Sequence, residues 1–204
     1  MSETRTNPVS RAQFLRHIGA GGVALATSGG VIAAVTSDTA FASPTSSDIE
    51  TLQAAYIAES LAVYVYSAIL KDFHVFRHPR LQNKDYFEAA LRDERYHKKF
   101  LASALGSKTP TGLKFVIPAK VTRTGETLLR TGVALETAFV EAYLGASETF
   151  SSQELRTIAA KVAANEATHF SFFDAAAGGH GVLPPVPSSA TIPATVKKLQ
   201  PFLA

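Results

Sequence analysis

Apolar residues recur every three to four positions along four stretches of the chain, at about 48–70, 84–105, 124–148 and 152–177, each flanked by polar or turn-forming residues. That period predicts four amphipathic helices, each on the order of 30 Å long. Between the second and third lies Gly106 to Arg123, where Pro110, Gly112 and Pro118 surround the apolar Leu113–Ile117. This stretch is too long for a hairpin turn and predicts a crossover connection running the length of a bundle. The first connection, Lys71 to Asn83, carries His74, His78 and Pro79 without ligand spacing. After Gly178-Gly179 the chain turns rich in proline and serine, with one short helix expected near Ala194–Leu199 and packing along the outside. The pattern as a whole predicts an all-α four-helix bundle with one long crossover between helices 2 and 3.

An internal repeat sharpens this layout. Glu59-Ser-Leu-Ala-Val-Tyr-Val-Tyr66 aligns with Glu136-Thr-Ala-Phe-Val-Glu-Ala-Tyr143, and Asp93-Glu94-Arg-Tyr-His97 aligns with Asn165-Glu166-Ala-Thr-His169. A glycine follows each of those histidines nine residues later, at Gly106 and Gly178. The two halves thus read as one helical hairpin used twice, which would set four glutamates around a pseudo-two-fold axis.

The polar positions inside the apolar stripes carry the chemistry. Residues at i and i+3 share a helix face, so Glu94 with His97, and Glu166 with His169, each aim an oxygen and a nitrogen at one point. Their neighbours three, four and seven positions away include Phe87, Ala90, Leu91 and Leu101 for Glu94, and Ala159, Val162, Phe170 and Phe173 for Glu166. The same count places Glu59 among Leu52, Ala55, Ala62 and Tyr66, and Glu136 among Leu129, Val133, Phe139 and Tyr143. Four ionised carboxylates in a core cost several kcal/mol each unless compensated. Apart from Lys98, no lysine or arginine lies on these stripes, so two divalent cations, completed by neutral imidazoles, give the balancing charge.

One glutamate from each of two helices plus Glu-x-x-His from each of the other two resembles the ligand pattern of the ferritin-like superfamily of di-iron and di-manganese carboxylate proteins. The resemblance runs from Asp48 to Gly178, and Leu135-Glu136 through Ala142-Tyr143-Leu-Gly-Ala146 is similar to its exported, desiccation-associated branch. It implies a ferritin-like bundle whose metal ligands are Glu59, Glu94, His97, Glu136, Glu166 and His169, with Glu94 and Glu166 or the other pair bridging. Glu141, five residues beyond Glu136, is an alternative ligand for the third helix, although the repeat favours Glu136. Tyr66 and Tyr143 are candidates to hydrogen-bond the ligands. Asp93 and Asn165 adjoin ligands and could orient histidines, but adjacent residues turn away by about 100°, which points them toward solvent.

Composition narrows the metal and the setting. The chain has no cysteine, so thiolate sites and disulfides are excluded, and its only methionine is Met1. Oxygen and imidazole ligands suit iron or manganese alike. Implied chemistry is redox work on a small-molecule oxidant or ferrous iron: peroxidase-like or ferroxidase activity with iron, catalase-like disproportionation with manganese. A non-catalytic, stress-related structural or binding protein that keeps the bundle but lacks a working metal is the alternative. The net charge of +3 is spread without a run of like charges, which argues against nucleic-acid binding. Residues 1–42 read as an export signal: Ser10 to Arg16 precede a Gly/Ala-rich apolar stretch, and Ala40-Phe41-Ala42 is a small-x-small cleavage site. The arrangement resembles a twin-arginine signal with Ala12 in place of the second arginine. The expected product is a periplasmic or extracellular protein with a bundle over 43–178, a tail over 179–204, no stable membrane insertion after cleavage, and scope to form a homo-oligomer.

Overall fold

A computed structural model describes residues 44–71 and 84–203. The expected signal segment, His74 and His78 lie outside the described residues. Four long helices form as the periodicity predicts: α1 (Ser46–Lys71), α2 (Lys84–Leu105), α3 (Gly125–Thr149) and α4 (Gln153–Ala176), followed by a short α5 (Ile192–Leu199) and a 3-10 turn at Gln200–Phe202. The fold is an all-α ferritin-like bundle, and among the described residues no helix is long and apolar enough to cross a membrane.

Local chemistry sets the helix ends. Thr45 and Asp48 exchange side-chain and backbone hydrogen bonds at the start of α1, with Thr45 N donating to Asp48 Oδ2 at 2.7 Å and Asp48 N donating to Thr45 Oγ1 at 3.1 Å. Thr124 and Thr127 do the same for α3, and Ser152 Oγ accepts from Leu155 N at the start of α4. Gly106 and Gly178, the repeat-related glycines, take φ of 56° and 95° just beyond α2 and α4, a left-handed conformation that other residues adopt only with strain.

Two apolar clusters fill the bundle, one at each end. The first gathers the end of α1, the start of α2 and α3 and the end of α4 around Tyr66, Phe87, Leu128 and Phe173. The second gathers the opposite helix ends around Leu52, Leu101, Tyr143, Phe150 and Val162. Helices α1 and α4 therefore run one way, α2 and α3 the other. The connection between α2 and α3 joins opposite ends of the bundle, as its length predicts.

The tail, with a short helix at Ile192–Leu199, lies against the four helices and adds side chains to their core. Leu199 and Phe202 are buried in the first cluster, where Phe115 of the crossover also packs. Val116 N donates to Phe202 O at 2.9 Å and Phe115 pairs with Leu203, so crossover and tail brace each other. Upstream, Ala190 N donates to Glu141 O at 2.8 Å, Ser189 Oγ to Glu148 Oε2 at 3.2 Å, and Lys198 pairs with Glu141. Gly145 makes this strap possible, because a Cβ there would stand 2.2 Å from the carbonyl oxygen of Ala190.

A buried carboxylate from the cap of α1 also joins the two hairpins. Asp48 is 2% exposed and accepts from Ser151 N at 2.9 Å and from Ser151 Oγ, in the α3–α4 turn. Burial alone would raise its pKa, but the donors from Ser151 and Thr45 outweigh it and hold the carboxyl below its usual range.

Candidate metal centre

The inward stripes converge midway between the two apolar clusters. Glu59 on α1, Glu94 and His97 on α2, Glu136 on α3, and Glu166 and His169 on α4 are all at most 4% exposed. Their ligand atoms fall into two groups, each within 4.8 Å: Glu59, Glu94, His97 and Glu166 in one, and Glu94, Glu136, Glu166 and His169 in the other. Glu94 and Glu166 belong to both. Of the two bridging pairs the sequence left open, this is the one placed between the groups.

The arrangement follows the repeat as a near two-fold. Across the centre, His97 Nδ1 lies 2.9 Å from Glu166, and His169 Nδ1 lies 2.9 Å from Glu94. Tyr66 of α1 donates to Glu136 Oε1 of α3 at 3.0 Å, and Tyr143 of α3 donates in return to Glu59 Oε1 of α1. The glutamate-to-tyrosine spacing shared by both halves thus serves a reciprocal exchange across the bundle. Each phenol takes one carboxylate oxygen and leaves Oε2 facing the centre. Burial, reinforced by the surrounding carboxylates, pushes both phenols well above their ordinary pKa, so they stay protonated and donate.

The donor set fits cations. Among the described residues, the buried side-chain atoms without a hydrogen-bond partner are Glu59 Oε2, both oxygens of Glu94, His97 Nδ1, Glu136 Oε2, Glu166 Oε1 and His169 Nε2. All come from the six predicted residues, and all but His169 Nε2, which faces Asp93, lie at the centre. Buried groups of this kind are normally satisfied, and leaving each bare costs on the order of 1–3 kcal/mol or more. Without metal, protons must supply the missing positive charge. Burial and the adjacent Glu94 and Glu166 push Glu59 and Glu136 far above the usual carboxylate range. For His97 and His169 burial alone would lower the pKa, but Glu59 and Glu166 beside His97, and Asp93, Glu166 and Glu94 beside His169, raise it well above normal. Glu94 goes the other way: burial raises it, but hydrogen bonding to Glu59, His169 and His97 pulls it well below the usual range.

The remaining candidates lie apart from the groups. Glu141 is outside both and pairs with Lys198. Lys98 turns out of the core, its ammonium 5.5 Å from the Tyr56 ring centroid. His180 is exposed. Asp93 departs from the solvent-facing expectation, since its Oδ2 is 3.6 Å from His169 Nε2 and its side chain is 26% exposed. The residue next to Glu94 therefore serves the histidine of the facing helix, a contact that counting along α2 alone does not reveal. Asn165 is half-buried.

The two halves of the centre differ in what surrounds them. Around Glu136 and His169, Tyr66 packs against Phe173 at 5.3 Å and His169 at 6.0 Å, while Phe87 meets Phe172 at 4.8 Å and Phe173 at 5.6 Å. At the Glu59 half, His97 and Tyr143 line a cavity of about 320 Å³.

Bundle, crossover and buried carboxylate–histidine cluster together define a four-helix protein whose centre could hold metal ions. The chain belongs to the ferritin-like domain family, whose model matches residues 47–179. No curated protein sequence matches it.

Proposed function

We propose that this chain is an exported di-metal carboxylate protein that carries out redox chemistry on peroxide, dioxygen or ferrous iron. The observation that carries the reading is the pair of four-residue ligand groups sharing Glu94 and Glu166, which suits two cations held side by side by common carboxylates. Glu59 and His97 would complete one position, Glu136 and His169 the other. Two divalent ions would balance the four carboxylates, with the imidazoles neutral. Two iron or manganese ions, when bound, supply the one-electron redox steps and Lewis acidity that the side chains lack.

The chain's own groups set the conditions for that chemistry. Tyr66 and Tyr143 orient Glu136 and Glu59 by donating to one oxygen of each. Asp93, its Oδ2 3.6 Å from His169 Nε2, favours the orientation of that ring with Nδ1 toward the centre. The aromatic cluster around Tyr66 and Phe173 covers one half with apolar rings. Export is supported by the Gly/Ala-rich stretch and the Ala40-Phe41-Ala42 motif.

The test is metal content per chain by elemental mass spectrometry, on the parent and on a Glu94→Ala/His169→Ala variant, followed by peroxide-turnover and ferroxidase assays. The expected result is near two iron or manganese ions per chain in the parent, little in the variant, and turnover only in the parent. A folded parent that takes up no metal even after anaerobic reconstitution would sink the proposal in favour of a non-catalytic bundle.

A further inference from the structure

The cavity beside the centre has a chemistry of its own. It reaches from the end of the bundle where α1 begins and α3 ends inward to His97 and Tyr143. Its volume of about 320 Å³ falls within the range of about 300–1,000 Å³ typical of small-molecule sites. The walls are apolar, with Ala55, Ala58, Phe100, Phe139, Ala142 and Val162 among them. At the inner end His97, 4% exposed, closes the cavity with its ring, whose Nδ1 is turned to Glu166 of the centre at 2.9 Å.

The mouth is polar in a particular way. Thr51, Thr149 and Thr195 line it, and each donates its hydroxyl hydrogen to a carbonyl four residues earlier in the chain, at 3.0, 2.8 and 3.2 Å. Their oxygens are left as acceptors. The remaining charged group at the mouth is Glu148, and no lysine or arginine is among the lining residues. Acceptors plus a carboxylate repel an anionic head and welcome a hydrogen-bond donor. Glu148 is exposed, where pairing with an ammonium gains little, so the match is to a neutral donor.

We propose that this cavity binds a neutral aliphatic alcohol, with its hydroxyl at the threonine-lined mouth and its chain running inward to the Glu59–His97 half of the centre. The inference goes beyond the redox reading, because the walls that hold the chain are not metal ligands and bind whether or not the centre is loaded.

The experiment uses the full chain and a decanol bearing a diazirine near its methyl end, with photo-adducts mapped by peptide mass spectrometry. The expected result is saturable labelling on peptides spanning Ala54–Ala58, Phe100–Leu101 and Phe139–Ala146, competed by 1-decanol and far less by decanoate. Ala142→Phe, or Ala55→Leu should that variant misfold, fills the cavity and lowers labelling about tenfold, equivalent to about 1.4 kcal/mol of lost affinity. Adducts scattered over other surfaces, competition by decanoate equal to that by decanol, or full labelling of both filled variants would overturn the proposal. Labelling that persists in Glu94→Ala supports the cavity even where metal and turnover assays on that variant show the redox reading to be wrong.

Discussion

Replacing Gly145 by alanine tests the strap that closes over α3, and two opposing effects decide the sign. Inside a helix, Gly→Ala normally stabilises by about 1 kcal/mol. Here the new methyl would stand 2.2 Å from Ala190 O, about 1.2 Å inside the 3.4 Å at which ordinary contact begins. The obstacle is backbone, so no side-chain rotation relieves it. The strap must withdraw by that distance, stretching the 2.8 Å bond from Ala190 N to Glu141 O to about 4 Å, beyond hydrogen-bonding range. Losing that bond costs about 1 kcal/mol and residual overpacking about 1–3 kcal/mol. After the helix-propensity gain, the net expectation is a destabilisation of about 1–3 kcal/mol, or a Tm lower by about 2–12 °C for a domain of this size. Calorimetric melts give the first number, and hydrogen exchange over Ser189–Thr195 shows whether the loss is local. A variant as stable as the parent, with unchanged exchange in that segment, would refute the reasoning.

Glu59→Ala and Glu94→Ala are expected to differ in stoichiometry: Glu59 belongs to one ligand group and Glu94 to both, so elemental analysis finds near one metal per chain in the first and near none in the second. Metal removal makes stability pH-dependent. The folded-state pKa values of Glu59, Glu136, His97 and His169 are all raised, so their protonated forms favour the fold. That contribution is complete below the unfolded values of about 4.3 for Glu and 6.5 for His and is lost as pH rises through the raised folded values. Melts of metal-free protein therefore drop from pH 5 to 9, and each site filled at about a hundredfold above Kd restores about 2.7 kcal/mol. Asp48 has the opposite sign, its folded pKa being depressed, so its contribution is present above about pH 3.9 and lost in acid. Asp48→Ala, which removes the cap and the Ser151 bonds, is expected to cost about 2–4 kcal/mol at pH 7 in denaturant titrations, with the difference from parent shrinking toward pH 3.

Much of the architecture was legible because its signals are local. Apolar period, polar or turn-forming flanks, and glycines at matched offsets place the four helices to within two residues of where they form. The six clustered residues were legible for a different reason: four carboxylates on apolar stripes are anomalous unless they share a purpose. Contacts between distant segments left no such trace. Nothing in the sequence pairs Asp48 with Ser151, 103 residues away. Glu141 reads as a rival ligand until Lys198, far along the chain, claims it. Leu199 and Phe202 sit in a stretch that looks like a polar tail, and only the core they complete reveals their place.

The sharing of Glu94 and Glu166 has a consequence for how the two halves of the chain hold together. The α1–α2 hairpin owns three ligands of one group and the α3–α4 hairpin three of the other, and each shares one of its three, Glu94 or Glu166, across the divide. A metal at either position would therefore be a cross-link between hairpins as much as a reagent. Like a clip closing a long loop, it would penalise the separated arrangement of the halves more than it rewards any single contact. On this view loading the centre and locking the bundle are one event, and a chain that has lost its metals has also lost its clasp.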